Sequence, residues 1–196
     1  AFFQSREELD DRYEGGLRAV ARAQPTKRDV IIGISASGMT PFVRGGLTRA
    51  RKAGAKTIFV TCWPGTELQT YVDVTIAPSV GAEIIAGSTR LKAGTATKMV
   101  LNMITTTVMI RLNKTYGNLM VDLKASNEKL WDRGTRIIAQ LTDLDYEDAF
   151  QLLKSADGEV KTAIVMKKMN IDKIDSREIL NHNSGSLKKS LENKQF

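Results

Sequence analysis

Histidine and cysteine are almost missing from this chain, whose 196 residues hold one of each, His182 and Cys62. One thiol closes no disulfide within the chain and founds no Cys-based metal site, and a lone imidazole in a polar tail reads as a surface residue rather than half of a Ser–His pair. That scarcity fits a reducing, cytoplasmic setting. Also missing is any run of about 18 apolar residues, so neither a membrane span nor a signal peptide is expected. Charge of one sign never accumulates: 29 Lys and Arg face 22 Asp and Glu, and the two are interspersed. Diffuse basicity of this kind is solvated surface. With no alternation of basic and aromatic residues, a nucleic acid partner is not expected. What is present is a chain that is 42% hydrophobic, enough to bury the core of one domain with a small appendage.

The stretch from Asp29 to Pro41 organises the rest. Val30 to Ile34 is short and uniformly apolar, which predicts a central strand of a parallel sheet covered on both faces. It runs into Ser35-Ala36-Ser37-Gly38-Met39-Thr40, after which Thr40 suits an N-cap and Pro41 the first helical position. Ser35, Ser37 and Thr40 offer hydroxyls, and Gly38 lets backbone N–H groups approach a ligand, a combination that at a helix N-terminus suits an anion. The plain alternative, a tight turn whose hydroxyls cap the helix, stands level with phosphate binding on the motif alone. A nucleotide is not favoured, because GK[ST] and the second and third glycines of a dinucleotide loop are absent.

Before this stretch, residues 1–23 show near-helical spacing of Phe2, Phe3, Leu9, Tyr13, Leu17 and Val20, with an expected interruption at Gly15-Gly16. The early acids, Asp10 and Asp11 among them, read on their own as a solvated face. After it, a helix to Lys52 closed by Gly54 is followed by strands at 56–62 and 72–78, joined by the Trp63-Pro64-Gly65-Thr66 turn. Strand, helix, strand, short helix, strand is the rhythm of a right-handed parallel α/β sheet. Three strands leave faces and an edge to cover, and the chain starts without Met, so strands of a missing N-terminal part, or of a partner chain, are expected to complete the sheet. Ser88 or Thr89 is expected to cap a long helix carrying Met99, Leu101, Ile104, Val108 and Leu112, buried on most sides. Glu83 and Lys92 read either as an ion pair or dipole match at that helix, or as residues lining a ligand site beyond the strands. From 126 onward the pattern turns to compact helices at 128–141, 146–155, 160–169 and 176–180, with Asp157-Gly158 between two of them. This gives two expected domains, 1–125 and 126–196, the second a packing or oligomer element without a catalytic constellation.

Several of these stretches together resemble one family. Gly33 to Pro41, Gly81-Ala82-Glu83 with Gly87-Ser88-Thr89-Arg90-Leu91-Lys92-Ala93-Gly94-Thr95, Lys98 to Met103, Gly117 to Asp122 with Asn127 to Leu130, and Lys161 to Met166 are similar to the N-acetylmuramic acid 6-phosphate etherases. These are sugar isomerase (SIS) domain proteins related to glucokinase regulatory protein. The resemblance implies a three-layer α-β-α SIS domain of class α/β, lacking its N-terminal part here, followed by a small helical module. It implies cleavage of the D-lactyl ether of a phosphorylated amino sugar by elimination and water addition, without metal or redox cofactor, in a cytoplasmic homodimer. Carried over residue by residue, Asp10 stands at the family's acid/base glutamate, one methylene shorter. Ser35, Ala36, Ser37, Gly38, Thr40, Glu83 and Lys92 fall in the substrate and phosphate site, and Met39 stands where many members carry Arg. A non-catalytic phosphosugar sensor of the glucokinase-regulator type, and a phosphosugar isomerase using Glu83 as base, are the competing functions.

Overall fold

The computed structural model describes residues 11–192 and divides into two compact units, 1–103 and 104–196. The first begins with helix α1 (Tyr13–Ala23), followed by strand β1 (Val30–Ile34), helix α2 (Pro41–Lys52), strand β2 (Lys56–Val60), a short 3-10 turn at Glu67–Thr70 and strand β3 (Val74–Ile76). The strands form a parallel sheet in the order β1-β2-β3, with Ile32 opposite Ile58 and Ile58 opposite Val74. Two connections carrying helical segments between parallel neighbours make this the α/β class expected from the sequence. Asp73 locks the far end of the pairing, its carboxylate accepting from Lys56 Nζ at 2.8 Å, Thr57 N at 2.9 Å and Thr57 Oγ1 at 2.7 Å.

Side chains alternate across the sheet, and one face lies under α2. A Cβ on Gly33 would fall 2.6 Å from Leu47 Cδ1 and 2.7 Å from Val43 Cγ1, so β1 passes close beneath that helix because it lacks a side chain there. Leu47, Phe59 and Leu68 form the core on this side, with Ile31, Val43 and Val72 packed around it. The other face is more open: Val30, Ile34 and Val74 are exposed. Among the described residues β2 takes the middle place and β1 an edge, which agrees with the expectation that further strands complete the sheet.

Gly15 and Gly16 do not interrupt α1 but lie inside it, and with Gly45 and Gly46 they make the crossing with α2. A Cβ at Gly16 would sit 1.9 Å from Phe42 O, and one at Gly45 2.1 Å from Tyr13 O. The two backbones thus touch where an ordinary helical residue would hold them apart. The helix propensity that glycine forfeits is offset by contact that a larger residue forbids.

Helix α3 (Lys92–Arg111) starts later than expected, so neither Ser88 nor Thr89 caps it; Glu83 does, from nine residues upstream of Lys92. Nor is it buried on most sides. Only Ala93 and Val100 are buried along it, while Met99, Met103, Met109 and Ile110 are exposed. Apolar residues run all round this helix, so no one face could bury them together.

The second unit pairs strand β4 (Thr115–Tyr116) with β5 (Leu119–Met120), then packs α4 (Glu128–Thr142), α5 (Tyr146–Ser155), α6 (Val160–Met169), α7 (Lys173–His182) and α8 (Leu187–Glu192). Asn127, Asp145 and Asp172 cap α4, α5 and α7 through side-chain oxygens. Its core gathers Ile138, Leu153, Val160, Ile164 and Leu187. Helix α7 is longer than the expected 176–180, because its capping Asp172 lies further upstream, and α8 was not foreseen. His182 is exposed, as expected.

Candidate functional site

The loops that follow the three strands leave the same end of the sheet, where α/β proteins place their ligands. Ser35 N continues the β1–β2 ladder by donating to Val60 O at 3.0 Å, and Cys62 N donates to Ala36 O at 3.1 Å. Loop 35–40 is therefore stitched to loop 61–66 before it turns into α2. Gly38 adopts φ +76°, and a Cβ there would meet Thr66 Cγ2 at 2.4 Å. Both the left-handed backbone and the close approach require glycine at this position.

The three hydroxyls take different parts. Ser35, only 5% exposed, accepts from Gly38 N at 3.1 Å and shares a 2.8 Å hydrogen bond with Thr40 Oγ1. It braces the loop from inside. Ser37 is exposed and contacts Met39 N at 3.4 Å, at the long end of hydrogen bonding. Thr40 occupies the N-cap position, yet its side chain bonds Ser35 instead of capping α2. The first-turn N–H groups of α2, which have no acceptor within the helix, thus lack the side-chain cap that the plain reading of the motif required. A helix start in this condition is electropositive and suited to an anion.

A cavity of about 400 Å3 opens beside it, lined by Gly38, Met39, Thr40, Arg44, Trp63 and Thr66 among others. Met39 projects outward, 76% exposed. Arg44, Trp63 and Thr66 were not anticipated as neighbours of the loop. The signal available for them was the i, i+4 spacing from Thr40 to Arg44 and the position of the Trp63-Pro64-Gly65-Thr66 turn at the end of a strand.

Glu83 and Lys92 come together at the start of α3. Glu83 Oε2 accepts from Lys92 N and Oε1 from Ala93 N, each at 2.9 Å. These amide bonds, that of Ala93 foremost, hold the carboxyl below its ordinary range, with a smaller contribution from the Lys92 charge. Glu83 thus meets the electropositive start of α3 with a carboxylate. Cys62 connects the regions: its thiol sits 3.6 Å from Ala93 O and 3.8 Å from Thr97 Oγ1, while its amide is bonded to Ala36. Asp10 lies outside the described residues. Among the described residues no cluster of His, Cys, Asp or Glu is arranged to hold a metal, and no helix is long and apolar enough to cross a membrane.

Comparison with known proteins gives this geometry its context. Residues 117–184 match the family model for the C-terminal lid domain of glucokinase regulatory protein. Over 191 residues, 97% of its length, the chain is 46% identical to an N-acetylmuramic acid 6-phosphate etherase of Picosynechococcus. It resembles the N-acetylmuramic acid 6-phosphate etherases along nearly its whole length. An etherase of Trichodesmium erythraeum is 45% identical over 196 residues, and one of Clostridium botulinum 47% identical over 185. The chain spans 64% of the length of the first two of these etherases and 61% of the third.

Proposed function

We propose that this chain supplies the phosphosugar-binding part of an N-acetylmuramic acid 6-phosphate etherase. Such a carbon–oxygen lyase cleaves the D-lactyl ether of its substrate to N-acetylglucosamine 6-phosphate and D-lactate, in amino sugar and cell-wall recycling. One observation carries the reading: a helix N-terminus without a side-chain cap, flanked by the Ser37 and Thr40 hydroxyls, faces a cavity in a chain whose relatives are named for a 6-phosphate. In this reading the phosphoryl group sits over the start of α2, bound by first-turn N–H groups and by Ser37 and Thr40, while Ser35, Ala36 and Gly38 shape the loop.

The reaction removes the proton at C2, expels the lactyl oxygen from C3 as an acid protonates it, and adds water across the resulting double bond. A proton carrier needs a pKa near the working pH. Glu83, held below the ordinary range with both oxygens on amides, is poorly suited to that task. We assign it and Lys92 to holding the start of α3 and give the proton transfer to Asp10. The same fact weighs against an isomerase that would use Glu83 as base. A cytoplasmic homodimer, with a sugar-binding domain at 1–125 followed in the chain by a helical module at 126–196, completes the proposal.

The test is release of D-lactate from N-acetylmuramic acid 6-phosphate by the full-length protein. Thr40→Val is expected to weaken binding of the sugar phosphate by about tenfold, through loss of one charge-assisted hydrogen bond. Asp10→Asn is expected to keep binding and lose turnover. A protein that binds the sugar phosphate and releases no lactate would instead be a sensor.

A further inference from the structure

The cavity beside the hydroxyl loop contains a cation that the loop itself does not use. Arg44 lies one turn into α2, its N–H bonded to Thr40 O at 3.2 Å. Residues four apart share a helix face, and both line the cavity together with Trp63 and Thr66. The guanidinium is held by one contact, Arg44 Nη2 to Glu67 Oε1 at 3.1 Å, with the two side chains 56% and 77% exposed. A single-point pair so open to water is weak and yields to a better acceptor.

We infer that Arg44 is the cationic contact of this site, leaving Glu67 to grip the outer oxygens of a phosphoryl group seated over Thr40. The inference rests on the phosphosugar reading above. The guanidinium fork matches two phosphoryl oxygens at once, which Glu67 in its present contact does not offer. Glu67 is then a competitor built into the site. An uncharged sugar cannot displace it, an anionic one can, and the pair filters ligands by charge.

Calorimetric titration of the full chain with N-acetylglucosamine 6-phosphate, and with unphosphorylated N-acetylglucosamine, tests this. Arg44→Gln is expected to weaken binding of the phosphorylated sugar by about tenfold and Arg44→Lys by less, since a lysine keeps the charge without the fork. Glu67→Gln is expected to tighten binding by about threefold, the worth of a weak exposed pair. The double variant should behave as Arg44→Gln alone, because Glu67 acts through Arg44. Both positions are exposed, and thermal melts verify that each variant folds. If Thr40→Val loses affinity while Arg44→Gln and Glu67→Gln bind as the parent does, the role of Arg44 is overturned and the phosphosugar reading stands. Weaker binding by Glu67→Gln overturns the competition. A parent chain that binds neither sugar overturns both inferences together.

Discussion

Replacing Gly16 by alanine separates the two opposing effects on which the α1–α2 crossing rests. Intrinsic propensity favours the change: alanine in a helix interior is better than glycine by about 1 kcal/mol. The packing opposes it, since the new Cβ would lie 1.9 Å from Phe42 O and 2.7 Å from Gly46 N. Carbon contacts settle near 3.5 Å or beyond, so the helices would have to part by more than an ångström. Overpacking against side chains that can shift costs about 1–3 kcal/mol. The obstacle here is backbone, which cannot change rotamer, so the upper end or more applies. We expect a net loss of about 3 kcal/mol, read as a fall of roughly 10–20 °C in Tm for a unit of this size. Gly15→Ala is the internal control. Its Cβ would meet a ring carbon of Phe42 at 3.3 Å, and that ring can turn aside. Propensity gain and mild crowding then leave stability within about 1 kcal/mol of the parent. Because Phe42 is in the first turn of α2, Gly16→Ala is also expected to weaken sugar phosphate binding by moving the Thr40 end of the site. Equal melting temperatures for the two variants would refute the reasoning.

Two further outcomes follow from side chains already described. Asp73 is held well below its ordinary range, first by Lys56 and then by Thr57. A carboxyl with a depressed folded pKa stabilises above its unfolded value, near 4, and loses that contribution as pH falls toward the folded value. Asp73→Asn should therefore be less stable than the parent at pH 7, with the gap in urea midpoint closing below about pH 4. A gap that does not change with pH would show that the pairing is not electrostatic. In the helical unit, Asn127 Oδ1 accepts from Leu130 N at 3.0 Å, so Asn127→Ala should cost about 1 kcal/mol in thermal unfolding and Asn127→Asp much less.

What the sequence made legible was whatever depends on neighbours along the chain. Strand β1 took the expected bounds because five apolar residues between Asp29 and Ser35 specify it locally, and α2 did so because Pro41 and Gly54 mark its ends. The features that escaped depend on segments far apart. Gly15-Gly16 reads as a helix breaker until α2 is laid against it, when the missing side chains become the reason for the contact. Glu83 caps α3 across eight intervening residues of irregular chain, whereas Ser88 and Thr89 are nearer and chemically apt but do not lie at the first turn. Arg44, Trp63 and Thr66 share a cavity wall only because β1 and β2 are adjacent and parallel, which no spacing rule along the chain expresses. Asp10, the carboxylate assigned the chemistry by resemblance, lies outside the described residues.

Cys62 ties several of these scattered residues together. Its amide is bonded to Ala36, and its thiol lies against Ala93 and Thr97, so the small residue at the end of β2 touches both the hydroxyl loop and the first turn of α3. A larger side chain there would push the two apart, and a polar one would need partners in a buried position. Glu83 closes the same region from the other side, with each carboxylate oxygen on an amide of that first turn. Two helix N-termini, those of α2 and α3, thus flank Cys62, and each carries a partial positive charge. At α3 a fixed carboxylate of the chain itself answers that charge. At α2 the Thr40 hydroxyl is directed to Ser35, and the complement has to come from elsewhere. In the reading proposed above a phosphoryl group supplies that complement, and the reading rests on this difference between the two helix starts more than on the glycine-and-serine composition of the loop.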